Sequence, residues 1–323
     1  MASADSTIDH TPDRFRRAWQ ATTGLVVATF VLMVFGASVR VNEAGLACPD
    51  WPLCFGEVIP PIDVGVAFEF GHRVLAGLIS LVFAGVLGWL VVNRKHVGRG
   101  IVSVGAVAAL ILTAQIILGG LTVLELLAEW TVASHLLCGN LFCVSLLVLT
   151  LALRERGAPV NRAAVSRMAR AFAVVLALAV PTQLVLGGFV SASYAGLACG
   201  TWPTCDGVNW FPTFSGLVGL QLVHRLMAYA LLALALIGVA LFRSHPRLAI
   251  PSRAFLLLVV VQGTLGVANV LMALPAEVTL AHTAGAASLM LCVAWLNYET
   301  WRAPVASVSA TPKPVPFALG KAP

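Results

Sequence analysis

Residues 70–92 read FGHRVLAGLISLVFAGVLGWLVV. His72 and Arg73 stand near the start, and no charge follows them. Roughly 20 mainly apolar residues are what a helix needs to cross the hydrocarbon core of a bilayer. An open strand there would leave its backbone groups without partners, so the run is read as a helix. An ionisable side chain in such a helix is costly, which makes His72 a functional candidate from the outset.

Working outward, seven further runs share this character: Trp19–Val39, Ile101–Leu124, Thr131–Leu153, Ala171–Val190, Leu220–Phe242, Ala254–Leu274 and Val278–Tyr298. With Phe70–Val92 they predict an all-α integral membrane protein of eight spans. The composition agrees. Of 323 residues, 59% are hydrophobic and 11% charged, against about 25% charged in ordinary soluble domains. A water-soluble fold could not cover so much apolar surface with so few polar groups. The first run carries no small-residue cleavage signature and is read as a retained helix.

The net charge of +6 does not point to nucleic acid, because the basic residues sit in short loops and not on one face. Membrane topology accounts for them, since Lys and Arg favour cytoplasmic loops. The segments before span 1, between spans 2 and 3, 4 and 5, and 6 and 7, and after span 8 hold every Lys and Arg except Arg40, Arg73 and Arg225. The opposite loops carry Glu43, Asp50, Glu57, Asp63, Glu125, Glu129, Asp206 and Glu277. Both termini are therefore expected in the cytoplasm, and a bacterial plasma membrane is the expected location.

The chain is duplicated. Gly45–Cys54, GLACPDWPLC, returns as Gly196–Cys205, GLACGTWPTC. His72-Arg73 returns as His224-Arg225, Gln115 with Leu118-Gly119 as Gln262 with Leu265-Gly266, and His135 as His282. A repeat of four helices enters the membrane in one direction both times, which implies two tandem four-helix bundles related by a pseudo-two-fold axis along the membrane normal. The expected divisions are 1–153, a cytoplasmic linker at 154–170, 171–302, and a mobile tail at 303–323.

Four of the seven histidines lie in even-numbered spans near their outer ends; His10, His96 and His245 fall in cytoplasmic segments and read as solvated. A lone membrane histidine is more often a bonded packing residue. Four at matched positions of a repeat point to ligands. A closed zinc site wants four Cys or His together. Two imidazoles per half instead suit the two faces of a haem iron, held between facing helices. Gly71, Ala76, Gly139, Ala228, Gly285 and Ala286 leave room beside the histidines, though small residues also serve tight helix packing. Arg73 and Arg225 have two readings: pairing with haem carboxylates, or snorkelling to headgroups. Cys48, Cys54, Cys199 and Cys205 fall on the oxidising side, where disulfides persist; metal binding is the rival, but neither loop holds a histidine. Two disulfide-pinned lids over two haem pockets is the resulting picture. Cys138, Cys143 and Cys292 read as packing residues.

The halves differ at one telling place. Glu69 precedes His72 by three residues and so shares its helix face; its counterpart is Gln221. Arg40 is likewise replaced by Ser191. A titratable group beside one site and an amide beside the other suggest one reactive site and one electron-transfer site.

At these residues the chain resembles the haem A synthase family, in its cysteine-containing branch, from the first span to the eighth. The resemblance rests on GLACPDWPLC, Glu69-x-x-His72-Arg73, His135, GLACGTWPTC, His224-Arg225 and His282. It implies oxidation of a ring methyl of haem O to a formyl group, giving haem A for cytochrome oxidase. It further implies that His224 and His282, with Arg225 beside them, hold a permanent haem b. His72 and His135, with Arg73 and Arg40, then mark the substrate site, and Glu69 is the catalytic carboxylate, by proton removal or by stabilising positive charge on the activated carbon. Membrane lipid and a haem O synthase or another haem donor are the implied partners, with no nucleic acid. A bis-histidine electron-transfer cytochrome b and a parallel-repeat transporter are the alternatives.

Overall fold

The computed structural model describes residues 11–306. Eight long helices carry the fold: α1 (Thr11–Val41), α2 (Val64–Val92), α4 (Arg99–Leu124), α5 (Glu129–Gly157), α6 (Arg167–Ala192), α7 (Gly216–Phe242), α8 (Ala249–Leu271) and α9 (Ala276–Arg302). A single turn, α3 (Arg94–Val97), joins α2 to α4. Each long helix is long and apolar enough to span a membrane, and no strand is formed among the described residues. The chain is a multi-pass, all-helical membrane protein.

The first half packs α1 on α2 and α5, and α4 on α2 and α5; the second packs α6 on α7 and α9, and α8 on α7 and α9. The halves meet through α5 against α6 and through α9 against α1 and α5. Phe83, Leu146 and Phe142 fill the first bundle. Leu176, Phe255 and Leu296 fill the second.

Several helices begin or end away from the apolar limits. α2 starts at Val64, six positions before the apolar run, because Asp63 caps it by accepting the Val66 N–H at 2.8 Å, as short polar side chains do at helix starts. α8 stops at Leu271, and residues 272–274 form the turn into α9. The irregular linker is also shorter than 154–170, since α5 runs to Gly157 and α6 begins at Arg167. Ser166 caps α6 by accepting the Ala169 N–H at 3.1 Å. The first residues after α9 pair with this linker: Val165 donates to Pro304 O and Ala306 donates to Val165 O, both at 2.9 Å. The rest of the 303–323 tail lies outside the described residues, as does His10.

Local structure recurs at the repeat offsets. Leu126 and Leu127 have positive φ (49° and 61°), and so do Ala273 and Leu274 (56° and 61°), a region that non-glycine residues seldom adopt. Each turn drives a leucine against the first glycine of a cysteine loop. A Cβ on Gly45 would sit 3.4 Å from Leu127 Cδ1, and one on Gly196 3.0 Å from Leu274 Cδ1. That packing accounts for the Gly of both GLAC segments.

The linker end holds an ion network. Arg162 reaches Glu155 at 2.6 Å and Glu299 at 2.9 Å, and Arg247 reaches Glu299 at 2.7 Å. Tyr298 donates to Glu155 at 2.6 Å. Glu299 is buried and satisfied by two guanidinium groups, the condition under which a buried carboxylate is tolerated. Arginines read as topology markers thus also tie α5, α9 and two loops together. His245 differs from the solvated reading: it is half-buried, and its Nδ1 accepts the N–H groups of Arg247 and Leu248 at 3.3 Å.

Candidate functional site

The four even-span histidines lie on α2, α5, α7 and α9, each half-buried. His72 and His135 are close enough to interact electrostatically, and so are His224 and His282. Each pair therefore belongs to one half. Every ring is pressed edge-on against a glycine of the neighbouring odd span. A Cβ would stand 2.9 Å from Cε1 of His72 at Gly36, 3.0 Å from His135 at Gly119, 3.0 Å from His224 at Gly187, and 3.3 Å from His282 at Gly266. These approaches need the missing side chain. Real Cβ contacts rarely come so close, so alanine at any of the four forces the ring to move.

The ring nitrogens are not alike. Nδ1 of all four histidines is sealed from solvent without a hydrogen-bond partner. Nε2 is not sealed on His72, His224 or His282, and among the described residues it makes no hydrogen bond there. An orphaned buried polar atom is uncommon in a finished interior; with Nδ1 sealed at all four repeated positions, Nε2 is the nitrogen each ring can offer a ligand. No cluster of three or more His, Cys, Asp or Glu exists among the described residues, which disfavours a closed zinc site. Two imidazoles per half with glycine-cradled rings fit a haem.

The glycines near the histidines on their own helices serve differently from the room for a macrocycle expected of them. Gly71 takes the ring of Phe35, Gly139 the amide of Gln115, and Gly285 the amide of Gln262. Gln183 donates to the His224 carbonyl at 3.1 Å and Gln262 to the His282 carbonyl at 2.8 Å. Gln115 instead reaches the ring of His135, 3.2 Å from Nε2.

Above the pairs lie the cysteine loops. Cys48–Cys54 and Cys199–Cys205 are disulfides, with Cα separations of 4.8 and 4.3 Å. All four cysteines are buried, over Val66 and Phe70 in one half and over Val218 and Leu222 in the other. The two arginines clamp these loops. Arg73 donates to the carbonyls of Asp50 (2.8 Å) and Leu53 (2.6 Å). Arg225 donates to the carbonyls of Cys199 (2.7 Å) and Thr204 (3.3 Å).

Glu69 is buried and belongs to the same clamp. Oε1 pairs with Arg73 at 2.6 Å and Oε2 accepts the Cys48 N–H at 2.8 Å. Gln221 ties to its loop only through the Gly196 carbonyl, at 3.1 Å. The loop tryptophans part company too. Trp51 lies on Gly120, where a Cβ would stand 2.9 Å from its ring, whereas Trp202 donates to the Tyr229 hydroxyl at 3.2 Å. Asp50 accepts the N–H groups of Phe55 and Gly56 at 2.7 Å. In the second loop, bonds from Asn209 and then Val208 hold the exposed Asp206 carboxyl below its ordinary range.

Arg40 stands apart from both pairs. It donates to the hydroxyl of Ser191 at 2.8 Å and to the Ser191 carbonyl, and its guanidinium lies 5.2 Å from the Tyr194 ring centroid. It thus bonds its own repeat counterpart. Sequence reasoning passed over the cradle glycines Gly36 and Gly187. Their shared offset of 151, the same as that of Arg40 and Ser191, was the available signal.

Eight spans, two histidine pairs and two disulfide-pinned loops define a helical membrane protein with one candidate histidine site in each half. Residues 19–67 and 64–294 match the COX15-CtaA family, described as cytochrome oxidase assembly protein. A heme A synthase of Methylobacterium sp. is 32% identical, over 85% of this chain and 89% of its own length. Those of Chelativorans sp. (30%; 86% and 88%) and Shewanella oneidensis (29%; 85% and 94%) are similar in extent. The chain belongs to the COX15-CtaA family.

Proposed function

We propose that this chain is a haem A synthase, converting the ring methyl of haem O to a formyl group in the membrane. The observation that carries this reading is the pair of glycine-cradled imidazole sites with sealed Nδ1 atoms, in a chain whose relatives bear that name. The oxidation is a four-electron change at one carbon: two hydroxylations, which draw on an external oxidant and an external source of oxygen, give a gem-diol, and loss of water gives the formyl group.

His224 and His282 are assigned to haem b, whose contribution when bound is one-electron chemistry. His72 and His135 flank the substrate haem. Glycine cradles fix all four rings, so that little orientation is left to be paid for on binding. Arg73 and Arg225 keep the disulfide loops seated as lids that exclude water. Glu69 is the reactive half's carboxylate. It would offset positive charge developing on the substrate, and its two oxygens join Arg73 and the Cys48 N–H into one rigid unit. Arg40 bonding its own counterpart Ser191 is the contact expected across a two-fold axis along the membrane normal, which supports the tandem-bundle reading.

The basic linker end is assigned to the cytoplasm with both termini, and the disulfide loops to the outer side, by the bias of Lys and Arg. Haem O arrives from the membrane, through a haem O synthase or another haem donor. The test is haem extraction and chromatography from cells that make haem O, with and without the protein. Haem A only where the protein is present supports the reading. Equal haem O in both cultures with no haem A refutes it.

A further inference from the structure

We propose that Gln115 is a positioning residue that withholds Nε2 of His135, so that the N-terminal site offers a haem iron one axial imidazole where the C-terminal site offers two. The inference deepens the proposed function and rests on it. Nδ1 is sealed on every ring, which leaves Nε2 as the nitrogen able to reach a ligand. On His72, His224 and His282 it has no partner among the described residues. On His135 it is 3.2 Å from the side-chain nitrogen of Gln115. Turning the amide over leaves the ring nitrogen engaged, because the Gln115 Oε1 is buried without a partner and can accept from an Nε2–H.

The repeat supplies the control. Gln262 occupies the position of Gln115, yet it donates to the main-chain carbonyl of His282 and leaves the ring alone. The cause is a glycine displaced by one residue. Gly285 clears the path of Gln262; a Cβ there would collide with its Oε1 and stand 3.2 Å from its Cδ. The residue in register with Gly285 is Cys138, whose thiol donates to the Ile111 carbonyl at 3.3 Å. That route is filled, and Gln115 passes over the next residue, Gly139, where a Cβ would lie 3.0 Å from its amide nitrogen. From there the amide meets the imidazole edge.

A site offering two imidazoles closes both faces of a haem. A site offering one leaves a face open to a small molecule. The displaced glycine therefore separates a substrate site from an electron-carrying site with the same four-helix plan.

The test uses the full-length purified protein, loaded with ferric haem O, and electron paramagnetic resonance. The N-terminal signal is the one lost in His72→Ala. In the unaltered protein it is expected to be high-spin, beside a low-spin signal from the C-terminal half, and unchanged in His135→Ala. Gln115→Leu is expected to convert it to low-spin. The exchange Cys138→Gly with Gly139→Ala should do the same by sending Gln115 to the carbonyl, and serves where the single variant does not accumulate. Gln262→Leu should leave the low-spin signal as it was. A low-spin N-terminal signal in the unaltered protein, or a high-spin one that persists in both Gln115→Leu and the exchange, overturns the inference. Failure to take up haem O at all refutes the proposed function instead, and the inference with it.

Discussion

The two cysteine loops use the same arginine and differ in what stands behind it. Arg73 and Arg225 both hold carbonyls of their loops. Behind Arg73 is Glu69, which also takes the Cys48 N–H; behind Arg225 is Gln221, which donates to the Gly196 carbonyl. Both lids are thus held by guanidinium–carbonyl bonds, and the first adds an ion pair of low exposure where the second has a neutral amide. Charge-assisted bonds are about twice as strong as neutral ones, and the carboxylate brings a negative charge to one site alone. A duplicated chain has kept its scaffold and specialised its lids.

The comparison breaks most completely at the second pair of rings. His224→Ala or His282→Ala should abolish the low-spin haem b spectrum of the purified protein, whereas His72→Ala should leave it intact. Absorbance of the three variants checks this, and equal haem b in all of them would remove the division of labour.

Glu69→Gln makes the halves alike at that position. Haem A formation should fall about 10²–10⁴-fold, the usual worth of a catalytic acid or base, with haem O or a hydroxylated haem accumulating and haem b retained. Extraction and chromatography at equal protein level provide the readout. Undiminished haem A under turnover-limited conditions would strip Glu69 of its role.

A smaller effect is expected from the lids themselves. Removing a crosslink that closes so short a loop relieves the unfolded chain by about 2 kcal/mol in the chain-entropy account. Cys54→Ser and Cys205→Ser should each lower thermal stability by a similar amount, but only Cys54→Ser should also slow haem A formation. Melting curves read beside an activity assay distinguish the two.

The smallest effect tests the cradles. Gly187→Ala pushes His224 off its rotamer, a shift that costs enough to weaken haem retention roughly two- to tenfold. Gly77→Ala, where a Cβ would meet nothing within 4 Å, should change nothing. Haem titration of the two variants checks the contrast.

The spans were legible because hydropathy alone separates Phe70–Val92 from its flanks, and the histidine pairs because the repeat singled them out. The ends were not. α2 gains a turn and a half from Asp63 and Val64, where capping and not hydropathy decides. The direction taken by Arg73 was equally hidden, since no spacing says that a guanidinium turns to loop carbonyls some 20 residues earlier in the chain. The ion network was hidden as well: Arg162 lies 7 residues from its partner Glu155 and 137 from its partner Glu299. Gln115 and Gln262 were recognised as equivalents, but the one-residue shift from Gly285 to Gly139 acquires meaning only once neighbouring helices are in place.

The central claim is that one half keeps its haem and the other transforms it. Pigment analysis of the purified protein from cells making haem O tests it most directly. The account predicts haem b at one per chain, accompanied by haem O, haem A or a hydroxylated form between them, with only the latter group lost in His72→Ala. Haem b at two per chain, with no haem O or its oxidised products, would contradict it and leave a bis-histidine electron-transfer cytochrome.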